Sequence, residues 1–310
     1  MDAGAFGLLR NDMVVVNLSG GLGNQMFQYA FGKGLAEKFQ TRLYLDTRSF
    51  QEHGDNRVDS NGVAVRQYEL GCFNINPDFS TQKELGFFFP NNHFFTKAWH
   101  KLERLIGSKV LLYESSYGFN PSVIERAMKN TYLHGYWQSH LYFEAITDSI
   151  RRDFTFQVPN QRNVEIEQRI KQTNSVSIHV RRGDYISSSV VNSVHGSVPF
   201  SFYKQSIDLL SSKMDNILWF VFSDDILWCS NVFSFLDNVT FVSDQLNAPA
   251  HYEMYLMSQC KHNIIANSTF SWWAAWLNNN PSKNVIMPDQ WFTNRKTTEL
   301  KLNPQGWKVI

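Results

Sequence analysis

Two Rossmann-like α/β domains facing one another across a cleft are the architecture this chain predicts, on three observations. Apolar, strand-like runs alternate with helical stretches in both halves, the order that builds parallel sheets. Several of those runs end in polar residues, as strands do at the carboxyl edge of a parallel sheet, where ligands bind. At 310 residues the chain also exceeds one small core.

The first half opens with MVVVNLS as a strand, followed by a turn containing Gly20, Gly21 and Gly23. QMFQYAFGKGLAEKF then reads as an amphipathic helix and TRLYLDT as a second strand. Residues 49–109 are irregular and aromatic, with GFFFPNNHFF at their centre, and TYLHGYWQS is a strand running into a loop. The helix EAITDSIRRDFTF leads into polar QVPNQRNVE, which divides the chain into 13–155 and 156–310. In the second half SVSIHVR, NILWFVFS, VTFVS and HNIIANS are strands with helices between them.

Composition narrows the function classes. Hydrophobic residues at 43% and charged residues at 18% describe a globular chain. A net charge of +1 gives no electrostatic case for nucleic acid as a partner. The 25 Phe, 12 Tyr and 9 Trp suit large aromatic cores, or faces that stack on sugar rings or bases. Cys72, Cys229 and Cys260 are too few and too scattered for a disulfide framework or a cysteine zinc site. The sequons at Asn17, Asn238 and Asn267 read as chance matches in a reducing compartment. No apolar run approaches the ~18 residues of a membrane span, so no transmembrane segment is expected and peripheral membrane association stays open. MDAGAFGLLRND is short and acidic for a signal peptide, and Met13 is an alternative start. A cytoplasmic location is the expectation.

The glycine turn is the first candidate site. A dinucleotide fingerprint requires a third glycine where this chain has Met26, and Lys33 lies too far inside the helix for a phosphate loop. What remains is a tight turn feeding a helix N-terminus, whose free N–H groups attract anions. Gly23 lets a ligand approach, and Asn24 and Gln25 add amide donors.

The second half is more specific. In SVSIHVRRGDY, period-two alternation sets Val176, Ile178 and Val180 on one face and Ser177, His179 and Arg181 on the other. Arg181 offers a planar fork to a diphosphate, with Arg182 a second charge nearby. Asp184, after the turn, is placed to orient an arginine or contact ligand. NILWFVFSDD releases Ser223, Asp224 and Asp225 at a strand end; Asp225 suits the cap of the next helix, and Asp224 a purine edge. The two aspartates are adjacent, without the D-x-D spacing usual for a nucleotide-sugar metal site, and no metal is expected. Asn267, Ser268 and Thr269 stand at another helix N-terminus, an anion site with hydroxyl help. Trp272, Trp273 and Trp276 are expected to pack that helix on the sheet. Together these groups suit a nucleoside diphosphate leaving group better than a redox dinucleotide.

GGLGNQMFQYA, HGYWQS, HVRRGDY, FSDD and NSTFSWWAAWL, in that order from Met13 onward, resemble the bacterial alpha-1,2-fucosyltransferases of glycosyltransferase family 11. The resemblance implies a GT-B fold, a bacterial chain, GDP-L-fucose as donor substrate, inversion at the anomeric carbon, and neither metal nor cofactor. It implies Arg181 on the beta-phosphate with Arg182 assisting, His179 and Asp224 on guanine, Ser268 and Thr269 on the phosphates, and Asn24 near the fucosyl phosphate. The implied acceptor is the 2-hydroxyl of a terminal beta-galactose on an oligosaccharide or glycolipid. There Trp137 would stack on the sugar and Gln138 would hydrogen-bond it. The stretch WQSHLYF departs from the family near His140, which bears on acceptor identity. For a general base the candidates are Asp184 and His134. Alternatives are a fucosyltransferase of another linkage, a non-catalytic nucleotide-sugar or glycan-binding protein and, more distantly, an NAD-dependent oxidoreductase.

Overall fold

Three consecutive valines, Val14 to Val16, are too apolar for a half-exposed strand and require cover on both faces. They form β1 (Met13–Asn17), the middle strand of a five-stranded parallel sheet with β2 (Arg42–Asp46), β3 (Asp78–Phe79), β4 (Val110–Tyr113) and β5 (Thr131–His134). Its order is β3-β2-β1-β5-β4. The computed structural model describes residues 12–50, 66–89, 109–158, 163–183, 188–246 and 248–310. Much of the irregular 49–109 segment, including most of GFFFPNNHFF, lies outside them.

The second sheet is also parallel. It contains β6 (Asn174–Val180), β7 (Ile217–Ser223), β8 (Val239–Phe241), β9 (His262–Ile264), β10 (Val285–Met287) and, last, β13 (Lys308–Val309), in the order β13-β10-β9-β6-β7-β8. An antiparallel pair, β11 (Gln290–Phe292) and β12 (Arg295–Lys296), stands apart from it. Two parallel α/β sheets facing across a cleft are the GT-B arrangement.

The helices are α1 (Leu22–Phe39), α2 (Gln82–Phe88), α3 (Pro121–Arg126), α4 (Thr147–Asp153), α5 (Val164–Gln172), α6 (Ser189–His195), α7 (Phe200–Ser211), α8 (Ile226–Val232), α9 (Ala250–Gln259) and α10 (Thr269–Leu277). α1 departs from the amphipathic expectation. From Leu22 to Gly32 every residue but Asn24 is buried, so the helix is covered all round. The cause is α10, which packs against it from the other half. Phe27 lies 4.6 Å from Trp272 and 4.9 Å from Trp273 between ring centroids, and Trp273 Nε1 donates to the Gly23 carbonyl at 3.0 Å. The tryptophans expected to hold α10 on its own sheet thus also join the halves. One hydrophobic core runs from Val14 and Phe27 to Trp273 and Met287, across the expected division at 155/156. A second core under β6 holds Val176, Ile178 and Val180 against Ile207 and Val221.

Candidate active site

The turns after β1, β6, β7 and β9 all open at the carboxyl ends of their strands, as in other open parallel sheets that bind ligands there. Between them lies a cavity of about 440 Å³ lined from both halves. On the first-half wall Gly20 has φ +74°, a conformation that glycine adopts without strain. Gly23 serves a different need: a Cβ there would lie 2.6 Å from the Thr269 carbonyl carbon and 2.7 Å from the Phe270 nitrogen. Its missing side chain therefore admits the backbone of α10, bringing two helix N-termini together. Asn24 lines the cavity at that junction, and its Oδ1 accepts from Gln138 Nε2 (2.9 Å) and Thr269 Oγ1 (3.1 Å).

Gln25 does not supply ligand donors. It is fully buried, donating to the carbonyls of Gly20 (2.9 Å) and Gln67 (2.8 Å) and accepting from Glu69 N (2.9 Å). Burial demands that each amide group find a partner, and these partners brace the turn. Trp137 is likewise corrected. Its ring is fully buried, 5.2 Å from Phe31 and 5.8 Å from Tyr142, with no face for a sugar. The next residue, Gln138, lines the cavity and accepts from Trp291 Nε1 at 3.2 Å. His134 ends β5 exposed, beside Tyr113 at 5.3 Å and away from the cavity lining. Asp184 lies outside the described residues.

On the second-half wall, the polar face of β6 divides by depth. Ser177 is buried and accepts from Asn263 Nδ2 at 2.7 Å, while His179 and Arg181 reach the cavity. Burial drives the pKa of His179 down to about 4, with Asp224 opposing and Arg181 adding to the shift. The imidazole is therefore neutral at physiological pH, and its buried Nδ1 has no hydrogen-bond partner. Arg181 pairs with Asp224 at 2.9 Å, and Asp224 also accepts from Arg182 N at 2.9 Å. The Arg182 guanidinium turns away from the cavity, donating to Asp225 at 3.0 Å and lying 4.0 Å over Trp228. Asp225 caps α8 through Trp228 N, as expected. Ser223 lines the cavity while its hydroxyl accepts from Asp225 N at 2.9 Å.

At the start of α10 the roles also separate. Asn267 lines the cavity and also braces it, its amide donating to the carbonyls of His195 (2.9 Å), Gly196 (3.2 Å) and Trp291 (3.2 Å). Ser268 is the N-cap, accepting from Phe270 N at 3.3 Å, and lines the cavity with Thr269. Sequence reasoning missed three charged lining residues, Arg66, Glu69 and Glu253. Burial raises the pKa of Glu253 to about 7; a Ser243 hydrogen bond opposes this and Asp224 adds to it. A lone carboxylate in apolar YEMYLM was the available signal for Glu253, whereas Glu69 sits in a segment without periodicity. Among the described residues no group of three or more His, Cys, Asp or Glu is placed to hold a metal. Among them also, no helix is long and apolar enough to cross a membrane.

The family model for glycosyl transferase family 11 matches residues 115–310. An alpha-1,2-colitosyltransferase of Escherichia coli is 35% identical over 96% of this chain and 99% of its own. The O-antigen biosynthesis glycosyltransferase WbnK of Escherichia coli is 32% identical over 92% of this chain and 97% of its own. Human (Homo sapiens) galactoside alpha-(1,2)-fucosyltransferase 1 is 30% identical over 52% of this chain and 47% of its own.

Proposed function

The chain belongs to glycosyl transferase family 11, and from that premise we propose that it moves L-fucose from GDP-beta-L-fucose to the 2-hydroxyl of a terminal beta-galactose, with inversion. The observation that carries this reading is the convergence of Arg181, neutral His179, Ser268, Thr269 and Asn24 on one cavity between the two sheets. Arg181 and the N-terminus of α10 take the diphosphate. His179 exchanges hydrogen bonds with guanine as a neutral ring, and Asp224 and Glu253 stand on the same wall for the purine N–H edge. Gln138 and Asn24 face the sugar from the other half.

In the transfer, the acceptor oxygen attacks the anomeric carbon opposite the diphosphate. The bond from carbon to phosphate oxygen breaks and its electron pair leaves with GDP. Negative charge then grows on the beta-phosphate, and Arg181 stabilises it. Losing such a group commonly costs about 10²–10³ in rate. No step needs a metal or cofactor, so activity is expected to survive excess EDTA.

A second reading keeps the reaction and changes the sugar. The relative named for colitose, a 3-deoxy form of fucose, matches nearly the whole chain, whereas the human fucosyltransferase matches about half. The test offers GDP-fucose and GDP-colitose in parallel with beta-galactosides, and product linkage is analysed. Transfer of fucose to the 2-hydroxyl, with 2-deoxygalactosides inert and Arg181→Lys about 10²-fold slower, is the expected result. Preference for GDP-colitose would select the second reading. Fucosylation of a 2-deoxygalactoside would overturn the linkage.

A further inference from the structure

The cavity that holds Arg181 opens beside a second one, of about 600 Å³, bounded by Tyr68, Gln157 and His251. Among the described residues, only Glu69 and Ala250 are found in the lining of both. An alanine methyl has no acid–base chemistry, so among the described residues the single functional group at the junction is a carboxylate. On the functional reading above, the first cavity takes the nucleotide sugar, and an oligosaccharide needs its own approach with room for several hydroxyls. The second cavity supplies one, and the reacting hydroxyl must then lie where the two meet.

We propose that Glu69 is the general base, taking the proton of the acceptor hydroxyl as the new glycosidic bond forms. The proton passes to the carboxylate, the oxygen lone pair forms the bond to the anomeric carbon, and GDP leaves with the electrons of the bond that breaks. The carboxylate is held for this task. Its own backbone N–H donates to Gln25 Oε1 at 2.9 Å, and the Leu22 backbone N–H at the start of α1 favours its charged form. Gly21, the N-cap of α1, has no side chain to satisfy that first turn, so Glu69 reaches it from another segment. Burial raises its pKa, outweighing the Leu22 N–H and the positive charge of Arg66, which lower it. A stronger base than an ordinary surface carboxylate results. The titratable and charged groups around it are Arg66, Tyr68 and Cys72 on its own segment and His251 and Glu253 from α9; Arg181 and Asp224 stand on the donor-cavity wall.

Capping α1 and accepting a proton are separable, because Glu69→Gln keeps an oxygen for the Leu22 N–H and loses the base. Turnover with the preferred donor and a beta-galactoside is expected to fall about 10²–10⁴-fold. The Kd for GDP and the Tm are expected to stay near those of the unaltered chain. The acid limb of the kcat/KM profile should disappear in Glu69→Gln and persist in Glu69→Asp. Turnover of Glu69→Gln within about threefold of the unaltered chain, or an acid limb that survives the substitution, would overturn the base assignment and leave the transferase reading standing. A fall in Tm with an unchanged pH profile would make Glu69 a cap only, against the proposal. Transfer of neither fucose nor colitose by the unaltered chain would sink the functional reading and this inference together.

Discussion

His179 and Glu253 occupy the same cavity wall and are perturbed in opposite directions by the same cause. Burial disfavours both charged forms, holding the imidazole neutral down to about pH 4 and the carboxyl protonated up to about 7. The linkage signs follow. The stability contributed by neutral His179 is present above its ordinary value of 6.5 and is lost as pH falls through about 4. The contribution of Glu253 is present below its ordinary 4.5 and is lost as pH rises through about 7. Between those limits the two oppose each other. Relative to the unaltered chain, His179→Gln is therefore expected to gain Tm on acidification from pH 7 to 4, and Glu253→Gln to lose it. A buffer series of thermal melts checks this, and variants running parallel to the unaltered chain would disprove it. The same scale explains why residue type alone misplaced Trp137, Gln25 and Arg182. Each could chemically meet a sugar or phosphate, but each finds a partner inside the protein first: the Phe31 and Tyr142 rings, the Gly20 and Gln67 carbonyls, and Asp225 with Trp228.

At the scale of elements, the contact between α1 and α10 decides most of the site geometry. It aligns two helix starts, supplies the Thr269–Asn24 hydrogen bond, and relies on an absent side chain at Gly23. Gly23→Ala drives a methyl into backbone atoms of Thr269 and Phe270, which cannot swing aside as a flexible side chain can. Overpacking of this kind costs about 1–3 kcal/mol, and displacement of α10 should also impair transfer. Gly86, exposed in α2, is the control: an added Cβ meets nothing within 4 Å. Gly86→Ala should gain roughly 0.5–1 kcal/mol from the reduced freedom of the unfolded chain. Urea unfolding of both variants measures the contrast. Equal effects would show that the close approach at Gly23 carries no energy.

Across the whole molecule, the shared core makes the halves interdependent. Phe27 and Phe143 from the first half pack on Trp273 from the second, with Phe143 and Trp273 stacked at 5.3 Å. Cutting the chain at 155/156 would expose these rings to water at about 25 cal/mol per Å² of apolar surface. Residues 13–155 and 156–310 expressed apart are expected to aggregate or remain unfolded, and the whole chain should melt in one transition by calorimetry. Two separate transitions would mean that the aromatic seam is not a core.

Strands β1, β2 and β5 to β9, the polar strand ends at His179, Ser223 and Asn267, and the parallel two-sheet plan were legible because alternation and turn chemistry act over a few residues, whereas the short strands β3, β4 and β10 to β13 were not read. The family motifs were legible for the same reason, being short and contiguous. Tertiary structure alone decided which polar groups face the cavity. Asn24 meets Thr269 across 245 positions of sequence, and Glu69 and Glu253 enter from a segment without periodicity and from a largely apolar helix. Local pattern states what a residue prefers, but desolvation and competing partners depend on distant segments brought together by burial. That is why Trp137 became core, Gln25 became a brace, and Glu69 came to stand between two cavities.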